Sequence, residues 1–250
     1  MKNRIKNIIK RADFDFSFPY YYIALFTNPF FFVRRSLYKK VSKHSGFLEG
    51  KLLDFGCGCK PYKDLFRRVT NYIGLDIDDR GLDHTGSVID VYYDGEHIPF
   101  EDGYFDSIFS SEVYEHVPNL WDIMLEINRV IKIGGIMMVS APFAWNEHGV
   151  PYDFQRFTQY GMRNLLESNG FEIIRTEIAT NYVEMLFQLW MEYIRHSFHK
   201  ICSHAIFSLL IQILFIFPSA MMGCIVSFVL PENHIFYGDT IIIAKKVKNM

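Results

Sequence analysis

Lys51-Leu-Leu-Asp-Phe-Gly-Cys-Gly-Cys-Lys-Pro-Tyr62, followed by Tyr72-Ile-Gly-Leu-Asp-Ile77, constrains this chain more than any other stretch. A short apolar run ends at Asp54. Gly56 and Gly58 then permit a turn where a side chain would meet a ligand, and Pro61 suits the first turn of a helix. A second apolar run ends at Asp76, about twenty residues beyond the turn, the distance at which a carboxylate on the tip of a neighbouring parallel strand can accept from both hydroxyls of a ribose. The pattern predicts strand, glycine turn, helix, strand and acid, and a site for an adenosine-containing ligand.

A dinucleotide fingerprint has a third glycine where this chain has Pro61, so packing around a pyrophosphate is disfavoured. Other segments continue an α/β alternation. Strands are predicted at 51–54, 72–76, 87–92, 105–110, 135–141, 171–178 and 239–247. Helical segments fall near Lys63 and over 119–130 and 158–169, with an amphipathic helix over 30–42. Gly134 and Gly135 are read as ending the helix before the fifth strand. Alternation of this kind makes a Rossmann-like, doubly wound, mostly parallel sheet.

Asp54-Phe-Gly-Cys-Gly58, Gly74-Leu-Asp76, Asp94-Gly-Glu-His-Ile-Pro-Phe100, Phe105-Asp-Ser-Ile108, Glu115-His-Val-Pro118 and Glu126-Ile-Asn-Arg-Val-Ile-Lys-Ile-Gly-Gly135 stand in order along the chain. With these motifs, residues 48–178 resemble class I S-adenosylmethionine-dependent methyltransferases of the type 11 group. The resemblance implies a seven-stranded sheet with an antiparallel last strand, S-adenosylmethionine as cofactor, and transfer of its methyl group to an acceptor. Three regions are expected: a basic, aromatic arm and helix over 1–46, a core over 47–180 and 235–250, and a hydrophobic helical insertion over 181–234.

Gly56 and Gly58 are expected to bring backbone amides to the methionine carboxylate, helped by the positive end of the following helix. Cys57 is expected to line this turn as a small apolar residue. Asp54 either orders the turn or touches cofactor. Asp76 is the ribose acceptor or, alternatively, a solvated acid in a turn with Asp78 and Asp79; Ile77 follows it in the site. The resemblance puts Asp94 and Gly95 at the adenine edge, where Asp94 could equally be a turn residue. Ser111 closes the cofactor set.

Glu112 and His116, four apart, are predicted to share one helical face at the mouth of the site. His116 is the first candidate base, because imidazole titrates near working pH, and a structural role is the alternative. In the polar segment 145–158, His148 is a rival base. Glu112, Tyr152, Asp153 and Arg156 are candidate acceptor contacts, although Asp153 and Arg156 could instead pair to cap the helix starting near Thr158.

The net charge of −2 gives no global pull toward nucleic acid, although residues 1–46 hold ten Lys and Arg against Asp13 and Asp15. Cys57 and Cys59 have no matching second pair, so no metal site is predicted and a reduced cytosolic compartment is expected. The basic first residues lack an apolar core behind them, so no signal peptide is expected. Residues 205–230 carry no charge and could reach across a bilayer. If the flanking strands belong to one sheet, a single complete crossing is excluded. A hairpin kinked near Pro218, helices lying in a membrane interface with 182–200 as partner, a homodimer surface and a lid remain open. A small-molecule or lipid-linked glycan acceptor at the inner face of the cytoplasmic membrane is the corresponding expectation; a scaffold without turnover is the alternative.

Overall fold

The computed structural model describes residues 25, 28–77, 87–201 and 205–250. The first 24 residues, most of the aromatic arm, and the turn at Asp78 and Asp79 lie outside this range. Two compact units are present. The described residues up to 39, with 178–238, form one; 40–177 with 239–250 form the other.

The second unit is built on seven strands: β1 Gly50–Phe55, β2 Val69–Ile77, β3 Val91–Tyr93, β4 Phe105–Ser111, β5 Ile131–Pro142, β6 Phe171–Ala179 and β7 Asp239–Lys246. Their order is β3-β2-β1-β4-β5-β7-β6. β1 pairs in parallel with β2 and β4, β2 with β3, and β4 with β5, while β7 runs antiparallel to β5. The strand order reverses at β1, so the ends of β1, β2 and β4 open a crevice at a topological switch point, where sheets of this type bind ligands.

Between Asn119 and β5, α2 (Leu120–Val130) buries Leu120, Ile123, Met124, Ile127 and Val130, a 3.6-period stripe facing the sheet. α3 (Gln159–Ser168) starts at Thr158, whose Oγ1 accepts the Gly161 N–H at 3.0 Å. Here Leu53, Phe55, Ile108, Met137, Val139, Met162 and Ile242 belong to one apolar core.

Two expectations are corrected. α2 ends at Val130 and the chain enters β5 directly, so Gly134 and Gly135 do not terminate the helix. They lie in an irregular stretch where the β4–β5 register jumps between Phe105 and Ser107; Gly134 has φ +82°, and a Cβ on Gly135 would lie 2.9 Å from the Asp106 carbonyl. The helix expected after the glycine turn is, among the described residues, only a 3-10 turn, Lys63–Leu65.

The first unit contains α4 (Tyr182–Ile201) and a helical run made of α5 (Ala205–Ile211), a π-helical turn (Gln212–Ile216) and α6 (Phe217–Val229). Phe32 of α1 (Phe31–His44) packs in a cluster with Met191, Ile194, Ile211, Ile216 and Ala220. Pro218 stands in the first turn of α6, and the chain stays helical through it, so the hairpin considered there does not form. A widened turn before the proline relieves the clash of its ring with the preceding carbonyl, and Ser219 Oγ donates to the Phe215 carbonyl at 2.7 Å.

Candidate functional site

A cavity of about 660 Å³ opens at the strand ends, within the roughly 300–1,000 Å³ of small-molecule sites. Gly56, Asp76, Ile77, Asp94, Gly95, Glu112, His116 and Tyr152 line it, eight residues that the sequence singled out. Asp54, Cys57, Gly58, Ser111, His148, Asp153 and Arg156 do not line it.

The turn after β1 does not form the expected amide cradle. Both the Gly56 and Cys57 N–H groups donate to the Leu75 carbonyl, at 2.9 and 3.1 Å. Gly58 N–H donates to Asp76 Oδ2 at 3.0 Å, and the other carboxylate oxygen accepts the Ile77 N–H at 2.9 Å. The amides are thus spent on joining β1 to β2, and no α-helix dipole stands behind them. Glycine at 56 answers protein packing rather than a ligand: with φ +73°, a Cβ there would lie 2.3 Å from Val113 Cγ2. Gly58 differs, since its missing Cβ faces open space.

Asp54 is buried and accepts from the Tyr72 hydroxyl; burial pushes its carboxyl up to about 7. It ties β1 to β2 through this bond. Cys57 is buried as expected, and burial raises its thiol to about 12, so it is no nucleophile. Lys60, unremarked in the sequence, is buried against Asp90, whose Oδ2 also accepts the Gly74 N–H at 2.7 Å. Asp94 caps its own turn by accepting the His97 and Glu96 amides at 2.7 and 2.8 Å, which hold its carboxyl below the usual range.

Tyr114–His116 is a 3-10 turn, not the helix expected to align Glu112 with His116, and Glu112 sits before it at φ +57°. Both side chains nevertheless reach the cavity. Glu112 Oε1 accepts from Ser140 Oγ at 2.7 Å, and Ser140 Oγ lies 2.9 Å from Ser111 Oγ. Burial raises the Glu112 carboxyl well above its usual range, and the Asp239 and Glu115 carboxyls push it further. Asp239, at the start of β7, is itself raised to about 7 by burial. No local motif marks Asp239; only folding brings it to Glu112.

His116 and His148, proposed from sequence as rival bases, meet: their Nε2 atoms are 3.1 Å apart and each lies 3.7 Å from Glu115 Oε1. His148 is raised, first by Glu115 and against partial desolvation. Asp153 and Arg156 form a two-pronged pair, with Nη2 to Oδ2 at 2.7 Å. They cap no helix, because Thr158 does so. Instead Asp153 accepts the His148 N–H at 2.9 Å and Arg156 donates to the Asn146 carbonyl at 2.9 Å, fixing the loop that carries His148.

Residues 53–139 match the family model described as a methyltransferase domain. An uncharacterized methyltransferase of Mycobacterium sp. (strain KMS) is 34% identical over 112 residues, 40% of this chain and 44% of the relative. Another, of Mycobacterium leprae (strain TN), is 33% identical over 113 residues, covering 40% and 42%. The matched region therefore spans less than half the length of these curated relatives. Among solved structures, a Bacillus halodurans protein assigned as a methyltransferase superposes with a TM-score of 0.53 at 16% identity, over 84% of this chain and 99% of that one. The [4+2]-cyclase SpnF superposes with a TM-score of 0.51 at 20% identity, over 85% and 81%. Sheet order and the crevice define a class I methyltransferase fold. Over residues 53–139 the chain is similar to the methyltransferase type 11 family.

Proposed function

We propose that the protein is an S-adenosylmethionine-dependent methyltransferase. The observation that carries this is Asp76 at the tip of β2, on the wall of a cavity that Gly56 and Gly95 also line. Each Asp76 oxygen accepts one backbone N–H, and a carboxylate oxygen has two lone pairs, so acceptor capacity remains for two ribose hydroxyls. Ile77, Tyr93 and Val117 supply apolar wall for an adenine ring. The cofactor brings an electrophilic methyl group; the chain's part is to align donor and acceptor in line and to exclude water.

Glu112, His116 and Tyr152, also on the cavity wall, supply polar contacts for a hydroxyl-bearing acceptor. A lipid-linked sugar at a membrane surface suits these contacts together with the exposed apolar helix, in whose stretch Phe207–Val229 an 18-residue window has a mean hydropathy of 2.3 and is 22% buried. The alternative is a cofactor-binding protein without methyl transfer, favoured by the fold's occurrence in a protein named as a cyclase.

Calorimetric titration with S-adenosylmethionine and S-adenosylhomocysteine tests the reading. Saturable binding of both, lost in Asp76→Ala, supports it; no binding to well-folded protein refutes it. Binding without methylation of any hydroxyl acceptor in cell extract, followed with labelled methyl groups, favours the alternative.

A further inference from the structure

We propose that Glu115, His116 and His148 bind one divalent transition-metal ion of the zinc class at the acceptor end of the cavity, although the sequence alone predicts no metal site. His116 Nε2, His148 Nε2 and Glu115 Oε1 form a triangle with edges of 3.1, 3.7 and 3.7 Å. Donor atoms held about 2.0–2.1 Å from a tetrahedral ion lie about 3.3–3.4 Å apart, so the triangle needs only small adjustments to close on one ion.

Hydrogen-bond partners at the far side of each ring settle where the protons sit. His116 Nδ1 is 2.6 Å from the Tyr152 carbonyl, and His148 Nδ1 is 3.1 Å from the Asn146 carbonyl. A carbonyl only accepts, so each Nδ1 carries hydrogen, and in the neutral rings both Nε2 atoms present lone pairs. Two lone pairs thus face each other beside a carboxylate. Glu115 is fully buried, and neither of its oxygens has a hydrogen-bond partner. Such a group requires compensation. A proton on one imidazole would bridge the two nitrogens but leave Glu115 beyond hydrogen-bond reach; a metal ion engages all three donors.

The donor set, two imidazoles and one carboxylate, is that of an open zinc site, which keeps its fourth position for water or substrate. His116 lines the cavity with Gly149 and Tyr152, so that position faces the acceptor. Gly149 has φ +61°, and a Cβ on it would lie 3.1 Å from His116 Cε1, so glycine lets the loop lie against the ring. The two carbonyls orient the imidazoles as outer partners of metal ligands do. Asp153 and Arg156 hold the His148 loop and are positioning residues.

One consequence rests on the transferase reading. A bound ion lowers the pKa of an acceptor hydroxyl coordinated to it. The hydroxyl proton leaves to solvent, the oxygen bonds to the methyl carbon, and the carbon–sulfur bond breaks to release a neutral thioether. His116 and His148 are then ligands rather than bases.

The test uses full-length protein stripped with chelator, without S-adenosylmethionine, so its outcome is independent of the cofactor reading. Zn²⁺ is titrated by calorimetry, and Co²⁺ by visible absorption. One equivalent should bind, Co²⁺ should give the intense bands of a tetrahedral site, and Zn²⁺ should raise the melting temperature. His148→Ala, on the loop, should keep the circular dichroism of the parent, lose roughly 100-fold or more in affinity and lose the thermal shift. His97→Ala, at an exposed histidine elsewhere, should bind like the parent. Absence of saturable binding, or equal binding by parent and His148→Ala, overturns the proposal.

Discussion

Asp76 Oδ2 accepts the Gly58 N–H at 3.0 Å, so the acid at the tip of β2 also fastens the glycine turn at the tip of β1. The residue proposed to hold the ribose therefore also holds the glycine turn beside it. Asp76→Ala removes the ribose acceptor and the turn's anchor together, and hydrogen bonds to a charged group are worth about 1.5–3 kcal/mol each. Affinity for S-adenosylhomocysteine should fall by roughly 100-fold or more. Asp76→Asn keeps an acceptor for Gly58 and should lose roughly 10-fold. Equal losses in calorimetry would show that charge, not turn geometry, governs the site.

The two glycines of this turn should separate in their effects. Gly56→Ala forces a Cβ against Val113 at φ +73° and should cost about 2–4 kcal/mol of stability, combining backbone strain with overpacking. Gly58→Ala has φ +46° and meets nothing within 4 Å, so only about 1 kcal/mol of strain is expected. Its new methyl group projects into open space beside the cavity. Urea melts and cofactor titration should therefore show Gly56→Ala mainly as a stability variant and Gly58→Ala mainly as a binding variant; the reverse pattern would refute this assignment.

Burial of Asp239 beside Glu112 gives stability a definite pH slope. Asp239 is raised from 3.8 to about 7 by burial, and Glu112 is raised as well. Between these two values the native state keeps a proton that the unfolded chain has released. The unfolding free energy should accordingly fall as pH rises from about 4 to about 7, by up to about 1.4 kcal/mol per pH unit for one group, and Asp239 should add no slope above that. Asp54, also raised to about 7, acts in the same direction. Asp239→Asn should reduce the slope without abolishing it. Denaturant midpoints that track the parent's at every pH would exclude the pair as its source.

Much of the sheet was legible because its signals are local. Apolar runs ended by Asp54 and Asp76 mark β1 and β2, and Thr158 and Asn119 bound their helices within a residue or so. The glycine turn was recognised, yet its amides were assigned outward when they bond to Leu75 and Asp76. Glycine spacing reports that the backbone turns, and it carries no information on which way the N–H groups point. The site was legible as residue types, since His116 and His148 were both picked. Their meeting was not, because it depends on how the loop after β5 folds back over Tyr114–His116. Glu115 carries no local mark beyond its place beside His116, and Asp239 lies in a strand whose pattern shows only an apolar run.

The insertion supplies the last prediction. It leaves the sheet after Ala179 and returns at Asp239, so both ends of 180–238 must lie on the same side of any bilayer, and Phe207–Val229 cannot act as a lone complete crossing. At about 1.5 Å per residue its 23 residues are nonetheless long enough to span the hydrocarbon, and much of its surface is apolar and open: Leu214 is 61% exposed and Phe228 90%. An apolar face of this size lying in an interface should bring the protein to vesicles of mixed neutral and anionic phospholipid, the ten basic residues of 1–46 favouring the anionic lipid. Leu214→Asp with Phe228→Asp changes only exposed positions, so circular dichroism and melting should stay those of the parent while flotation with vesicles is lost. If the parent does not float but runs as a dimer that the double variant converts to monomer, the apolar face is a self-association surface and the membrane reading fails.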